Sequence, residues 1–256
     1  MYQSKLLQKF PNLRHGFSTK AEGNQSFTFA TVKDVISEEV VKNREEFLAA
    51  IDPLVSIKNG VRMRCRGYLP GKEIVIVENK DRGRGMEDNN PVAAQALVTK
   101  EKSLFLFLCT ADCLPVILYE PEAKVIALVH ASWLMTKEKL VSKVVNLFLN
   151  DFGAKPERIM AAIGPGVHKE SYRLTKAEQE KYPEWESYLE RGSDGMVGID
   201  LPGFNNHLLL QSGVKEEHID VLPYDTGSSD EFFSFYRQSH LGKALDGEIA
   251  TVIGMS

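Results

Sequence analysis

Only three cysteines, at positions 65, 109 and 113, occur in 256 residues. So sparse and odd a set does not read as a disulfide framework and favours a reducing compartment. No apolar run reaches the roughly 18 residues that span a bilayer. The N-terminus, MYQSKLLQKFPNLRHGFSTK, lacks the long uncharged core of a secretory leader. Charge of one sign is also missing: 31 Lys and Arg against 35 Asp and Glu leave a net −4, which gives no global attraction to nucleic acid or anionic lipid. Low-complexity linkers, internal repeats, a phosphate loop, a dinucleotide fingerprint and paired-cysteine zinc motifs are absent. The expectation is a soluble, cytoplasmic protein that binds neither nucleic acid nor membrane.

What the chain does have is apolar side chains, 43% of residues, enough to bury a sizeable core. Residues 34–50 place Val40, Val41, Phe47 and Leu48 on one side of a helix that Pro53 keeps from continuing. EIVIVEN at 73–79 reads as a strand, and the glycine-broken KDRGRGMEDNNP at 80–91 as a loop. SLFLFLCT, LPVILYE and VIALVHAS are uninterrupted apolar runs, as in strands covered on both faces. Residues 136–153 carry Leu140, Val144, Val145 and Phe148 on one helical stripe, with Gly153 as the stop. RIMAAIGPG is a strand entering a turn, and Tyr182, Trp185, Tyr188 and Leu189 are helix anchors within the charged segment 174–196. Residues 200–214 give a helix, HIDVLP a strand, and FFSFYRQ and GEIATVIGM two closing strands. The pattern is α/β with several hairpins. No domain boundary is visible, so residues 1–256 are taken as a single domain.

One hairpin carries chemistry. In TADCLPVILYEPEAKVIALVHASWLM, residues 110–135, Cys113 precedes the first strand and His130 stands near the end of the second. A thiol and an imidazole so placed serve as nucleophile and base, or as two of the three protein ligands of a catalytic zinc. Asp112 beside them can orient the imidazole or carry a proton. From the spacing alone, the plain alternative of a small core residue and a satisfied strand-end histidine is the preferred reading. RMRCRG at 62–67 and KDRGRG at 80–85 gather arginines whose planar donor forks suit an anion such as phosphate, or simply face solvent.

Taken in order, seven stretches resemble the motif series of the bacterial laccase-domain family. They are HGFSTK at 15–20, NREEFLAAI from Asn43, QALVT at 95–99, TADCLPVIL at 110–118, VHASW at 129–133, AIGPG at 162–166 and FFSFYR at 232–237. That family is labelled polyphenol oxidase and understood as zinc-dependent purine nucleoside phosphorylases. The resemblance implies an α/β (α+β) fold of layered mixed β-sheets with flanking helices. The same fold occurs in the deamidase domain of cytotoxic necrotizing factor toxins, where a Cys–His pair acts without metal. In the family, zinc is held by the histidine of Gln-x-His-Gly, the cysteine of Thr-Ala-Asp-Cys and the histidine of His-Ala-Gly-Trp. The last two carry over to Cys113 and His130, and an active-site arginine of the Asn-Arg helix to Arg44. The implied ligands are zinc, a purine nucleoside and phosphate. Asp112 would shuttle a proton and Arg44 and Arg237 would hold phosphate; adenosine deamination is implied as well.

This sequence departs from the motifs at several points. YLPGKEIVIV stands where Gln-x-His-Gly is expected and puts Pro70 in place of the histidine, and no histidine lies between His15 and His130. Leu134 replaces the arginine of Trp-Arg-Gly, Tyr236–Arg237 replaces an Arg-Arg pair, and Gln95 replaces an aspartate. Two ligands close no tetrahedron, and a lost arginine removes a bidentate anion contact. The expected activity is therefore an impaired purine nucleoside phosphorylase. Two alternatives stand beside it: a metal-free Cys–His hydrolase or deamidase, and a catalytically silent member that binds a nucleoside or a protein partner.

Overall fold

A computed structural model of the protein describes residues 1–26, 36–65, 71 and 73–256. The longest apolar runs become the centre of the molecule. Strands β7 (Leu114–Glu120) and β8 (Val125–Ala131) pair antiparallel, and every residue of β7 is buried. They lie inside a six-stranded mixed sheet ordered β13 (Ile219–Val221), β9 (Met160–Ile163), β7, β8, β5 (Ala96–Thr99), β3 (Ile74–Ile76). A five-stranded sheet runs β1 (Leu13–Phe17), β14 (Ile249–Met255), β6 (Phe105–Thr110), β2 (Gly60–Arg64), β4 (Val92–Ala93). A small antiparallel sheet orders β10 (Arg173–Leu174), β12 (Val197–Ile199) and β11 (Leu189–Arg191).

Side-chain alternation turns these sheets into layers. Ile117 and Tyr119 of β7 join Leu106, Leu108 and Ile253 of the five-stranded sheet in one core. Val116 and Leu118 point the other way, toward α3 (Leu140–Phe152) and α4 (Leu201–Gln211). The far face of the five-stranded sheet, through Phe105, Phe107 and Val252, packs on Phe47 and Leu48 of α1 (Glu38–Ile51). The architecture is thus the mixed α+β layering expected. Among the described residues no helix is long and apolar enough to cross a membrane.

Three local expectations are corrected. Residues 136–153 are not one helix: α2 (Trp133–Lys137) ends and Lys139 takes a left-handed φ of 56° before α3 begins. The segment 174–196 forms 3-10 turns and strand β11 rather than an α-helix; Pro183 opens the turn Pro183–Tyr188, whose Trp185 stacks on Phe204 at 3.9 Å. FFSFYRQ is not a strand. The Ser234 hydroxyl accepts from Arg237 N at 3.1 Å and starts helix α5 (Phe235–His240), because an N-cap bond satisfies a backbone donor that a strand would have to pair elsewhere.

Candidate functional site

The β7–β8 register sets Pro115 opposite His130. Cys113, just ahead of β7, therefore reaches the same end of the sheet as the imidazole. Both line a cavity of about 170 Å³ together with Cys65, Cys109, Arg62 and Glu248. The remaining five histidines do not line it.

The imidazole is held by the residue before β5. His130 N donates to Gln95 O at 2.8 Å, and His130 Nδ1 lies 2.8 Å from Gln95 Oε1. The amide is oriented at its other end, where Gln95 Nε2 donates to Cys65 O at 2.9 Å. Oε1 is thus the acceptor, Nδ1 carries the proton and Nε2 keeps a lone pair. Burial pushes the imidazole down to about 4, so the ring is neutral at pH 7. Burial also pushes the Cys113 thiol up to about 12, with Asp112 and Glu248 adding to it. Cys109 goes to about 11, and Cys65 well above the ordinary thiol range, in both mainly through burial.

Asp112 occupies a left-handed conformation, φ 88°, that side-chain-bearing residues seldom adopt. Its surroundings hold it there. The Thr226 hydroxyl donates to Oδ1 at 2.7 Å, Tyr236 N to Oδ2 at 2.6 Å, and Val167 N to the main-chain oxygen at 2.9 Å. Burial raises the carboxyl's pKa, and these hydrogen bonds oppose the rise. Asp112 thereby anchors the start of α5, whose Phe235 and Tyr236 help form a second, larger cleft.

That cleft, about 510 Å³, is walled by Trp133, Leu134, Tyr172, Phe235 and Tyr236. Its only charged lining residues among those described are Asp112 and Glu248. Leu134 stays 41% and Phe235 60% exposed at its rim, so the cleft opens to solvent. Ala111, Cys113 and Glu248 line both cavities, which therefore meet at these residues.

The two arginines singled out from the sequence line neither cavity. Arg44 is fully buried and donates to the carbonyls of Gln25, Ser26, Gly85 and Met86. Arg237 donates to those of Thr226, Ser229 and Phe232, fixing the loop that leads into α5. Pro70 lies outside the described residues. Sequence reasoning missed Gln95 as the imidazole's partner, though its place in the QALVT motif had drawn notice as a substitution. Arg62 and Cys65 stood in the RMRCRG cluster, and Glu248 gave no local signal at all.

For a metal, the donor set is incomplete. Cys113 and His130 share the small cavity, but among the described residues no three His, Cys, Asp or Glu groups are placed to hold an ion. A tetrahedral site with one open position needs three. The described residues do not fit the group.

Comparison with known proteins follows the same lines. A purine nucleoside phosphorylase of Deinococcus radiodurans is 30% identical over 260 residues, covering 97% of this chain and 92% of that one. The purine nucleoside phosphorylase YlmD of Bacillus subtilis is 29% identical over 251 residues, 94% of this chain and 87% of the relative. The crystal structure of YlmD from Geobacillus stearothermophilus superposes with a TM-score of 0.79 at 27% identity, covering 96% of this chain and 93% of the other. The hypothetical protein YfiH of Bacillus licheniformis gives a TM-score of 0.78 at 26% identity, with 95% and 93% covered. Matched by its family model over residues 14–256, the chain belongs to the multi-copper polyphenol oxidoreductase laccase family.

Proposed function

We propose that the large cleft binds a purine nucleoside and that the chain cleaves its N-glycosidic bond with phosphate, as an impaired purine nucleoside phosphorylase. The observation that carries this reading is the meeting of two cavities at Cys113, one aromatic-walled and sized for an organic ligand, the other small and more polar. Relatives named purine nucleoside phosphorylase, covering nearly the whole chain, support it.

In the reaction, a phosphate oxygen bonds to the ribose C1′ while the C1′–N9 bond breaks and its electron pair leaves with the base, which takes up a proton. The walls around Trp133, Tyr172 and Tyr236 stack the base. His130 Nε2, neutral and unprotonated, handles a proton beside the sugar. Asp112 positions α5 through Tyr236 N, and Arg44 and Arg237 keep their loops in shape. Impairment follows from the incomplete donor set at Cys113 and His130 and from the apolar Leu134 at the cleft. The same site would also take adenosine for deamination.

A metal-free thiol hydrolase is opposed by the ionisation of the pair. With Cys113 pushed up to about 12 and His130 down to about 4, thiolate and imidazolium are each the unfavoured form at neutral pH.

The test is to incubate the purified protein with inosine or adenosine, with and without phosphate, and to separate free base and inosine chromatographically. Phosphate-dependent release of base is expected, slower than in relatives by about 10–100-fold, the usual cost of a disturbed metal environment. No base release together with no nucleoside-induced rise in Tm would remove the nucleoside reading altogether.

A further inference from the structure

We propose that a third cavity, at the opposite end of the sheets from Cys113 and His130, binds a small organic polyphosphate of the nucleoside diphosphate class. The inference is independent of the phosphorolytic reading, since no residue lining this cavity lines either of the two that meet at Cys113.

The strands set its position. β7 runs from Leu114, beside Cys113, to Glu120, and β14 from Ile249, beside Glu248, to Met255. At the far ends Tyr119, Pro121, Met255 and Ser256 line a cavity of about 410 Å³. A strand rise of about 3.3 Å per residue separates the two ends by roughly 20 Å. Several segments are tied together here. Ser256 N donates to Asn12 O at 2.9 Å, Ser103 N to Met255 O at 2.6 Å, and Asn12 Nδ2 to the Tyr119 hydroxyl at 3.1 Å. Phe10 packs edge-on against the Tyr119 ring at 5.2 Å. Arg82 donates to the carbonyls of Lys102 and Ser103 and so fixes the loop that follows β5.

Charge at this cavity is one-sided. Lys100, Lys102 and Lys124, all exposed, line it, and among the described residues no Asp or Glu side chain does. The carboxylates nearest to them in sequence are committed elsewhere. Glu101 accepts from Asn79, Glu122 pairs with Arg158, and the fully buried Glu120 accepts from Ala123 N. Among the described residues the lysines that form ion pairs are Lys42, Lys80, Lys143 and Lys169, none of them at this cavity. Ser256 contributes at most one main-chain carboxylate against three ammonium groups. Like charges gathered in one concavity repel each other and raise the local concentration of anions. In a chain of net charge −4 such a field is local to this end of the molecule.

Size and lining choose among anions. The volume lies above the roughly 300 Å³ at which clefts for organic ligands begin, so a lone phosphate would leave most of it empty. Phe10, Pro121 and Met255 add apolar surface beside the lysines. A nucleoside diphosphate carries about three negative charges at neutral pH, one for each lysine, and a flat base for the apolar part. Lysine suits such a chain because it meets phosphate as a point charge, without the fixed fork of arginine.

The experiment titrates the full chain by calorimetry, without magnesium, with ADP, inorganic pyrophosphate, inorganic phosphate and inosine at low and at physiological ionic strength. One ADP per chain is expected to bind saturably, more tightly than pyrophosphate and at least about tenfold more tightly than phosphate. Binding should weaken as salt rises and persist in saturating inosine. The variant test uses Lys102→Gln together with Lys124→Gln, because the Lys100 ammonium also lies 5.9 Å from the Phe152 ring centre. Both replaced side chains are exposed, so folding is retained. The double variant should bind ADP at least about tenfold more weakly while its response to inosine, in turnover and in Tm, matches that of the unaltered chain. No saturable ADP binding overturns the proposal, as does unchanged ADP affinity in the double variant. Displacement of ADP by inosine would place the nucleotide in the large cleft instead and overturn it too. Pyrophosphate binding as tightly as ADP would overturn the assignment to an organic ligand.

Discussion

Gln95 and His130 share a 2.8 Å hydrogen bond whose direction is set at a distance, because the Gln95 amide nitrogen is already committed to the Cys65 carbonyl. The amide can offer the ring only its oxygen. The proton is thereby confined to Nδ1, and Nε2 of this cavity-lining residue keeps its lone pair.

Replacing Gln95 with Leu should release that constraint. Ring nitrogen chemical shifts of His130 are expected to move from the Nδ1–H form toward a mixture richer in Nε2–H, with turnover falling about 10–100-fold if His130 handles a proton. Gln95→Asn, one methylene shorter, tests whether reach matters as well as chemistry. An unchanged His130 spectrum in folded Gln95→Leu would show that the ring is oriented by something else.

Acid should destabilise the protein in a defined window. His15, whose Nε2 accepts from Ser4 N at 2.9 Å, and His130 are both pushed down to about 4 by burial. An unfolded imidazole takes up its proton near 6.5. Between these values the unfolded chain holds more protons, so lowering the pH favours unfolding. The stabilisation is complete above about 6.5, declines toward 4 and changes no further from these rings below that. It amounts to at most about 3 kcal/mol for His15 and less for the half-buried His130. Asp112, raised by burial, works in the opposite sense, since its folded form takes up a proton first. Urea midpoints at pH 7 and pH 4.5 measure the difference, and His15→Gln should flatten it.

Arg44→Met should act on stability. It strands the carbonyls of Gln25, Ser26, Gly85 and Met86, all of which lose their donor at once. A loss of about 3 kcal/mol or more is expected by chemical denaturation. Arg237→Met, in α5 and bonded to a partly exposed loop, should cost about half as much. Equal and small losses at both positions would contradict this assignment.

Gly166 shows why AIGPG needs its last glycine. An added Cβ would press on Leu114 Cδ2 and come within 2.9 Å of Asp112 O. Leu114 can yield in part, but the Asp112 carbonyl is held by Val167 N. Gly166→Ala should cost about 1–3 kcal/mol and displace Asp112 from Tyr236 N, loosening α5. Amide exchange at Tyr236 reports that directly; unaltered protection there would mean the loop absorbs the methyl elsewhere.

The central hairpin was legible because its information is local. Seven consecutive buried residues in β7 admit few alternatives to a strand covered on both faces, and Gly153 at φ 65° ends α3 as its lack of a side chain suggests. FFSFYRQ misled because alternating aromatics look strand-like, while the serine hydroxyl that caps α5 competes for the same backbone. Lys139 misled because a left-handed lysine has no signature in composition.

The order of residues by itself settled the mixed α/β content, the hairpin and the nearness of Cys113 to His130, since strand pairing across a short turn fixes register within a few positions; the layering came from the family resemblance. It could not settle which groups meet from far apart in the chain. Gln95 reaches His130 across 35 positions and Asp112 reaches Tyr236 across 124, and Arg44 and Arg62 converge on Gly85 from separate elements. Those meetings depend on how whole sheets stack and where loops are tied down. Packing of distant surfaces decides them, and no single stretch of chain encodes it.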